Sequence, residues 1–115
     1  MGAHMEIKKK KENEIMVISV TGRLDAVSSP EFEKELTGLI TGGERLLLLD
    51  FGELDYISSA GLRTILAATK KLKENQGRLS LAALKSVVKE VFEISGFSSI
   101  IPIFDSVDSA RGKMA

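Results

Sequence analysis

The chain of 115 residues carries 16 basic and 16 acidic side chains, so its formal net charge is zero, and 43% of it is hydrophobic. That length suits one domain with a packed core. Balanced charge argues against a surface built for nucleic acid or anionic membrane, and no apolar run approaches the roughly 20 residues that span a bilayer.

The absence of cysteine removes disulfides, thiolate catalysis and sulfur-ligated metal. The opening "MGAHM" reads as an expression-tag remnant over residues 1–4, with a single domain over 5–115 starting at Met5. His4 is the only histidine and falls in that remnant. Serine triads, cysteine–histidine pairs and histidine zinc sites are then excluded for the single chain. No catalytic residue, metal or cofactor is expected. No secretory signal is visible, so a cytoplasmic location is expected.

In chain order, "EIKKKKE" (6–12) reads as a charged edge strand or a solvated arm, since no aromatic residue interleaves the lysines as in a nucleic-acid patch. "IMVISVTG" (15–22) is β-branched and reads as a strand that pairs with it around a turn near Asn13. A helix follows, with Ser29 as N-cap, Pro30 at the first helical position and Glu31 and Glu33 against the positive end of the dipole. Phe32, Leu36, Leu39 and Ile40 give it one apolar face, and Gly42–Gly43 stop it.

"RLLLLDFG" (45–52) contains the continuous apolar run of a strand covered on both faces. The segment "LDYISSAGLRTIL" (54–66) leads into a second helix near Gly61, with Leu62, Ile65, Leu66, Thr69 and Leu72 at helical spacing and Lys70, Lys71 and Lys73 near its end. "RLSLAAL" (78–84) alternates like a strand. A third helix carries Val87, Val88, Val91 and Phe92 on one face. "IIPIF" (100–104) is a short strand that Pro102 places at an edge, and "SVDSARGKMA" adds a short, fraying terminal helix. From the second strand onward the order is β–α–β–α–β–α–β, the pattern of an α/β fold with a largely parallel or mixed sheet of four to five strands. Its loops gather at the strand ends, where binding sites of open α/β sheets form.

One such loop holds two adjacent serines. Ser58 or Ser59 caps the second helix, and one serine suffices for that. The other hydroxyl is then free to face solvent. Ala60 and Gly61 keep the surroundings low, and the positive helix end tolerates an added anion. A plain capped turn has the same composition.

"LLLLDFGELDYISSAGLRTILAATKKLK" resembles the signature region of the STAS family, the bacterial anti-sigma factor antagonists: a hydrophobic strand, an Asp, a short loop, then small-Ser-small-Gly-Leu opening a helix. "VTGRLDAVSSPEFEKEL" is similar to the family's Gly-x-Leu/Ile-Asp segment and its helix. The resemblance runs from about Ile7 to Ile103. It implies a STAS-like fold and a phosphorylatable serine two residues before the Gly of Gly-Leu, here Ser59. Ser58 stands where many members have Asp, which makes it an alternative acceptor. Asp25 matches the family's acidic residue near the serine loop. It is either a partner contact or a turn-stabilising residue.

The resemblance further implies a non-enzymatic regulator that binds an anti-sigma factor serine kinase of histidine-kinase-like ATPase fold and frees a sigma factor. Phosphorylation of Ser59 weakens that complex, and a metal-dependent phosphatase resets it. Asp25, Ser58, Ser59, Ala60, Gly61 and Arg63 are the expected partner-binding set. Two other classes stay open. One is a scaffold subunit of a larger signalling assembly. The other is a nucleotide-binding flavodoxin-like domain, in which Arg63 contacts a phosphate rather than facing solvent. The latter lacks both G-x-G-x-x-G and a Walker lysine.

Overall fold

The computed structural model describes residues 5–114, so the tag reading of 1–4 lies outside the described residues. The elements are β1 (Met5–Glu12), β2 (Ile15–Leu24), α1 (Ser29–Thr41), β3 (Leu46–Ile57), α2 (Ser59–Glu74), β4 (Arg78–Ala82), α3 (Ser86–Ile94), a 3₁₀ turn (Phe97–Ser99), β5 (Ile103–Phe104) and α4 (Val107–Met114). They build one five-stranded mixed sheet in the order β1-β2-β3-β4-β5. β1 pairs antiparallel to β2, and the remaining neighbours are parallel. The α/β expectation holds, with β5 at an edge.

The lysine run is the other edge strand. Asn13 turns it into β2 with φ 57°, and salt bridges Lys9–Glu35 and Lys11–Glu44, each 2.7 Å, tie it to α1 and to the α1–β3 loop. Charged side chains on an outer strand also discourage edge-to-edge pairing with another chain.

Alternation along the strands divides the core between two faces. Ile18, Val20, Leu47, Leu49, Leu79 and Leu81 pack with α1, α2 and α3 through Phe32, Leu36, Ile65, Leu72, Val88 and Phe92. The opposite face carries Ile15, Val17, Leu48 and Ala82 beneath Ala110 and Met114 of α4. That is why "LLLL" is apolar without a break. It also corrects the reading of the terminal segment as a fraying helix: Ala110 and Met114 are buried and close the second face.

Three further expectations shift. α1 starts at Ser29 itself, with Ser28 before it at the cap position. β3 continues past Gly52 to Ile57, through an irregularity that pairs Ser19 with Asp50 but Thr21 with Glu53, so the presumed loop is extended strand. On α3, Val88 and Phe92 face the core, while Val87 is 62% exposed. A helix of 9 residues lying on a sheet buries too narrow a stripe to cover all four apolar positions.

Candidate functional site

The parallel strands β2 and β3 end side by side, which brings the β2–α1 loop against the start of α2. Leu24 pairs with Ile57, and the Ser58 N–H donates to the Leu24 carbonyl at 2.8 Å. The two sequence segments are thereby one surface.

At that surface the two serines have different tasks. Ser58 sits in extended backbone (φ −96°, ψ 174°), and its hydroxyl accepts from the Gly61 N–H at 3.3 Å. Its own carbonyl accepts from Leu62 N–H at 3.0 Å. Ser58 is therefore the N-cap, satisfying one of the donors that the first turn leaves free. Ser59 opens α2 and is exposed. The helix starts two residues earlier than the apolar periodicity locates it, because the cap, not the first buried leucine, sets its origin.

Gly61 is buried and packs inward. A Cβ there would lie 2.9 Å from Ile57 Cγ1, 3.2 Å from Leu24 Cβ and 3.3 Å from the Leu24 carbonyl oxygen. Within the expected partner-binding set, Gly61 is thus the member that packs inward. The absent side chain lets α2 close onto the ends of β2 and β3, and so sets the position of Ser59. Ala60 is half-buried and Arg63 is exposed. Both line a cavity of about 370 Å³ between the starts of α1 and α2.

Asp25 organises the neighbouring loop. Its Oδ1 accepts from the Val27 and Ser28 N–H groups, both at 3.0 Å. The Ser28 hydroxyl donates to the Arg23 carbonyl at 2.7 Å and accepts from Asp25 N–H at 3.0 Å. Ser29, expected as a cap, instead donates its hydroxyl to the Asp25 carbonyl at 2.6 Å. The Ser28 N–H is the main reason that the Asp25 carboxyl lies below its ordinary value of 3.8, opposed by partial burial and helped by Val27 and by the charge of Arg23. The turn-stabilising role of Asp25 is thus visible in the geometry.

Three residues join the surface that sequence reasoning did not single out as its members. The Arg23 guanidinium lies 4.3 Å from the centre of the Tyr56 ring, and Arg23 pairs with Tyr56 across the strands. Tyr56, near the end of β3, is 38% exposed, and Val27, on the β2–α1 loop, is 83% exposed. The signal for Val27 was present as a lone aliphatic residue among small polar ones. That for Arg23 and Tyr56 needed the register of β2 against β3. Close by, Lys85 pairs with Asp55 at 2.6 Å, and the Asp55 carboxylate raises the Lys85 pKa above its ordinary 10.5. Among the described residues, no group of His, Cys, Asp and Glu is arranged to hold a metal ion.

Residues 6–110 match the model of the STAS domain family. The chain belongs to the STAS domain family. Curated relatives cover nearly their whole lengths. BtrV of Bordetella bronchiseptica, provisionally named an anti-sigma factor antagonist, is 42% identical over 92% of this chain and 91% of its own. The anti-sigma-B factor antagonist of Listeria monocytogenes is 32% identical over 100% of both. Among solved structures, the anti-sigma factor antagonist SpoIIAA in its unphosphorylated form superposes with a TM-score of 0.82 over 94% of this STAS domain and 95% of SpoIIAA, at 21% identity. The phosphorylated form of SpoIIAA, from Bacillus, gives 0.76 over 96% and 100%, at 20% identity. At that level of identity the likeness concerns the fold, and it supports the five-stranded STAS architecture described above.

Proposed function

We propose that this STAS domain is an anti-sigma factor antagonist that acts by binding, and that phosphate on Ser59 governs its hold on the anti-sigma factor. The observation that carries the proposal is the division of labour between adjacent serines: Ser58 caps α2 while Ser59 stands exposed at its head. The names of the curated relatives support the antagonist role.

A phosphate adds about −1.5 to −2 charges at pH 7. At the start of α2 it meets the positive end of the dipole, so the domain keeps its fold. In an interface built for a neutral hydroxyl, the same dianion loses hydration and adds to the negative charge of Asp25 on the adjoining loop, whose carboxyl is held below its ordinary value. Asp55 adds less repulsion, because Lys85 already offsets it. A loss of about 3 kcal/mol corresponds to roughly a hundredfold in affinity. Ser58 is the poorer acceptor, since modifying its oxygen removes the cap.

In this reading the partner is a serine kinase of histidine-kinase-like ATPase fold, a metal-dependent phosphatase reverses the mark, and the domain works in the cytoplasm as substrate and ligand without catalysis of its own. The test is the affinity of the anti-sigma kinase encoded in the same genome for the parent, Ser59→Ala and Ser59→Asp. Ser59→Ala should bind as the unmodified parent does and resist ATP-driven release, and Ser59→Asp should bind poorly. Identical behaviour of all three would exclude Ser59 as the switch.

A further inference from the structure

The outward face of α2 breaks a local rule of helix electrostatics. Arg63 lies near the N-terminus, where the dipole disfavours a cation, and the first turn carries no acidic residue to offset it. Farther along, Lys70, Lys71 and Lys73 are exposed as well. Among the described residues, none of these four cations lies within salt-bridge distance of a carboxylate, whereas Lys9, Lys10, Lys11 and Lys85 are all paired.

The dipole accounts for lysines at the C-terminal end of α2. It does not account for Arg63, and the one acid of α2, Glu74 in its last turn, is within salt-bridge distance of none of the four cations among the described residues. At 100° per residue, Lys70 falls within about 20° of Arg63 around the helix axis, with Ala67 between them and Lys71 and Lys73 on either flank. Glu74 also falls within about 20° of Arg63, so the ridge sets four cations against one acid on a chain whose net charge is zero. Beside it runs the α1–α2 groove. Arg63 lines the upper cavity, Lys71 lines a lower one of about 210 Å³, and Thr64, Ala67 and Glu33 line both. Glu33 is the one acid in that lining, so positive charge remains in excess. The small side chains let a partner backbone come close.

We infer that this ridge is a docking surface for an acidic surface of the anti-sigma factor, extending the Ser59 contact by about three helical turns along α2. The inference rests on the proposed antagonist function. Charge complementarity selects the occupant: four cations outside any salt bridge, against the single acid Glu74, reward a carboxylate-rich partner and penalise a basic one. It also supplies a second reason for phosphate to release the complex. The dianion at Ser59 lies one turn from Arg63, within reach of its guanidinium. It competes for that cation and repels the same acidic surface.

The experiment measures binding of the anti-sigma kinase by the parent, Lys70→Glu/Lys71→Glu, Lys70→Gln/Lys71→Gln and a control, Lys8→Glu/Lys113→Glu, which changes net charge equally at distant exposed sites. Lys70 and Lys71 lie about 17 Å along the helix from Ser59, so these variants leave the serine loop untouched. The expected result at about 50 mM salt is at least a tenfold loss for the Glu pair, a smaller loss for the Gln pair and little change for the control. The differences should close near 0.5 M salt, where screening removes exposed-charge attraction. All variants should retain the parent's circular dichroism spectrum. A Glu pair that binds as the parent does, or that weakens no more than the control, would overturn the ridge. Failure of the parent itself to bind would overturn the antagonist reading instead.

Discussion

Removing each serine hydroxyl in turn separates the structural role from the exposed one. In Ser58→Ala, the Gly61 N–H loses its acceptor at 3.3 Å. That distance is longer than the usual 2.9–3.0 Å for an N–H···O bond, so the cost belongs in the lower part of the capping range, about 0.5–1 kcal/mol. The backbone bonds from Ser58 to Leu24 and Leu62 survive the substitution, which confines the loss to the cap. For a domain of this size, that cost lowers Tm by roughly 2–4 °C. Ser59→Ala removes an exposed hydroxyl and should stay within about 0.5 kcal/mol of the parent. Urea denaturation monitored by circular dichroism, with equal m values, gives both numbers. If Ser59→Ala were the more destabilised variant, the assignment of cap and free hydroxyl would be reversed.

Other consequences concern packing, titration and the added charge. Gly61→Ala places a methyl against Ile57 and the Leu24 backbone. Overpacking of about 1–3 kcal/mol exceeds the helix-propensity gain of up to about 1 kcal/mol, so calorimetry should show a lower Tm, and a Tm equal to or above the parent's would refute the close-packed geometry. The Asp25 carboxyl has a lower pKa folded than unfolded, so its contribution is present above the ordinary carboxylate range and disappears as pH falls through the folded value. The stability gap between the parent and Asp25→Asn should therefore shrink steadily below about pH 4, and a gap that is flat with pH would remove the ionised carboxylate from the account. Lys85 works in the other direction. Its raised pKa means that the Asp55 pair contributes fully below the ordinary lysine value and is lost as pH rises through the folded one. Lys85→Gln should accordingly flatten the alkaline limb of the stability profile, and an unchanged limb would count against the pair.

Much of this architecture is legible in particular residues. The unbroken leucines of β3 announce a strand with two covered faces, and Gly42–Gly43 announce the end of α1. The Ser-Ser-Ala-Gly-Leu segment announces a helix start at the C-terminal end of the sheet. What was hidden depends on neighbours distant in sequence. Periodicity cannot tell that Gly61 faces Leu24, because that contact exists only once β2 and β3 lie in register. Nor can it choose Ser28 over Ser29 before α1, since neither hydroxyl caps a first-turn N–H: Ser28 donates to the Arg23 carbonyl and Ser29 to the Asp25 carbonyl. Val87 reads as core until the width of α3's buried stripe is known. The terminal helix reads as fraying until the uncovered apolar face beneath it comes into view.

The proposed switch turns on the chemical state of one exposed oxygen. The most direct measurement is the affinity of the anti-sigma kinase for two purified forms of this domain, unmodified and carrying a single phosphate that peptide mass spectrometry places on Ser59. The phosphorylated form should bind roughly a hundredfold more weakly, with its melting temperature kept or raised. Equal affinity of the two forms would contradict the switch.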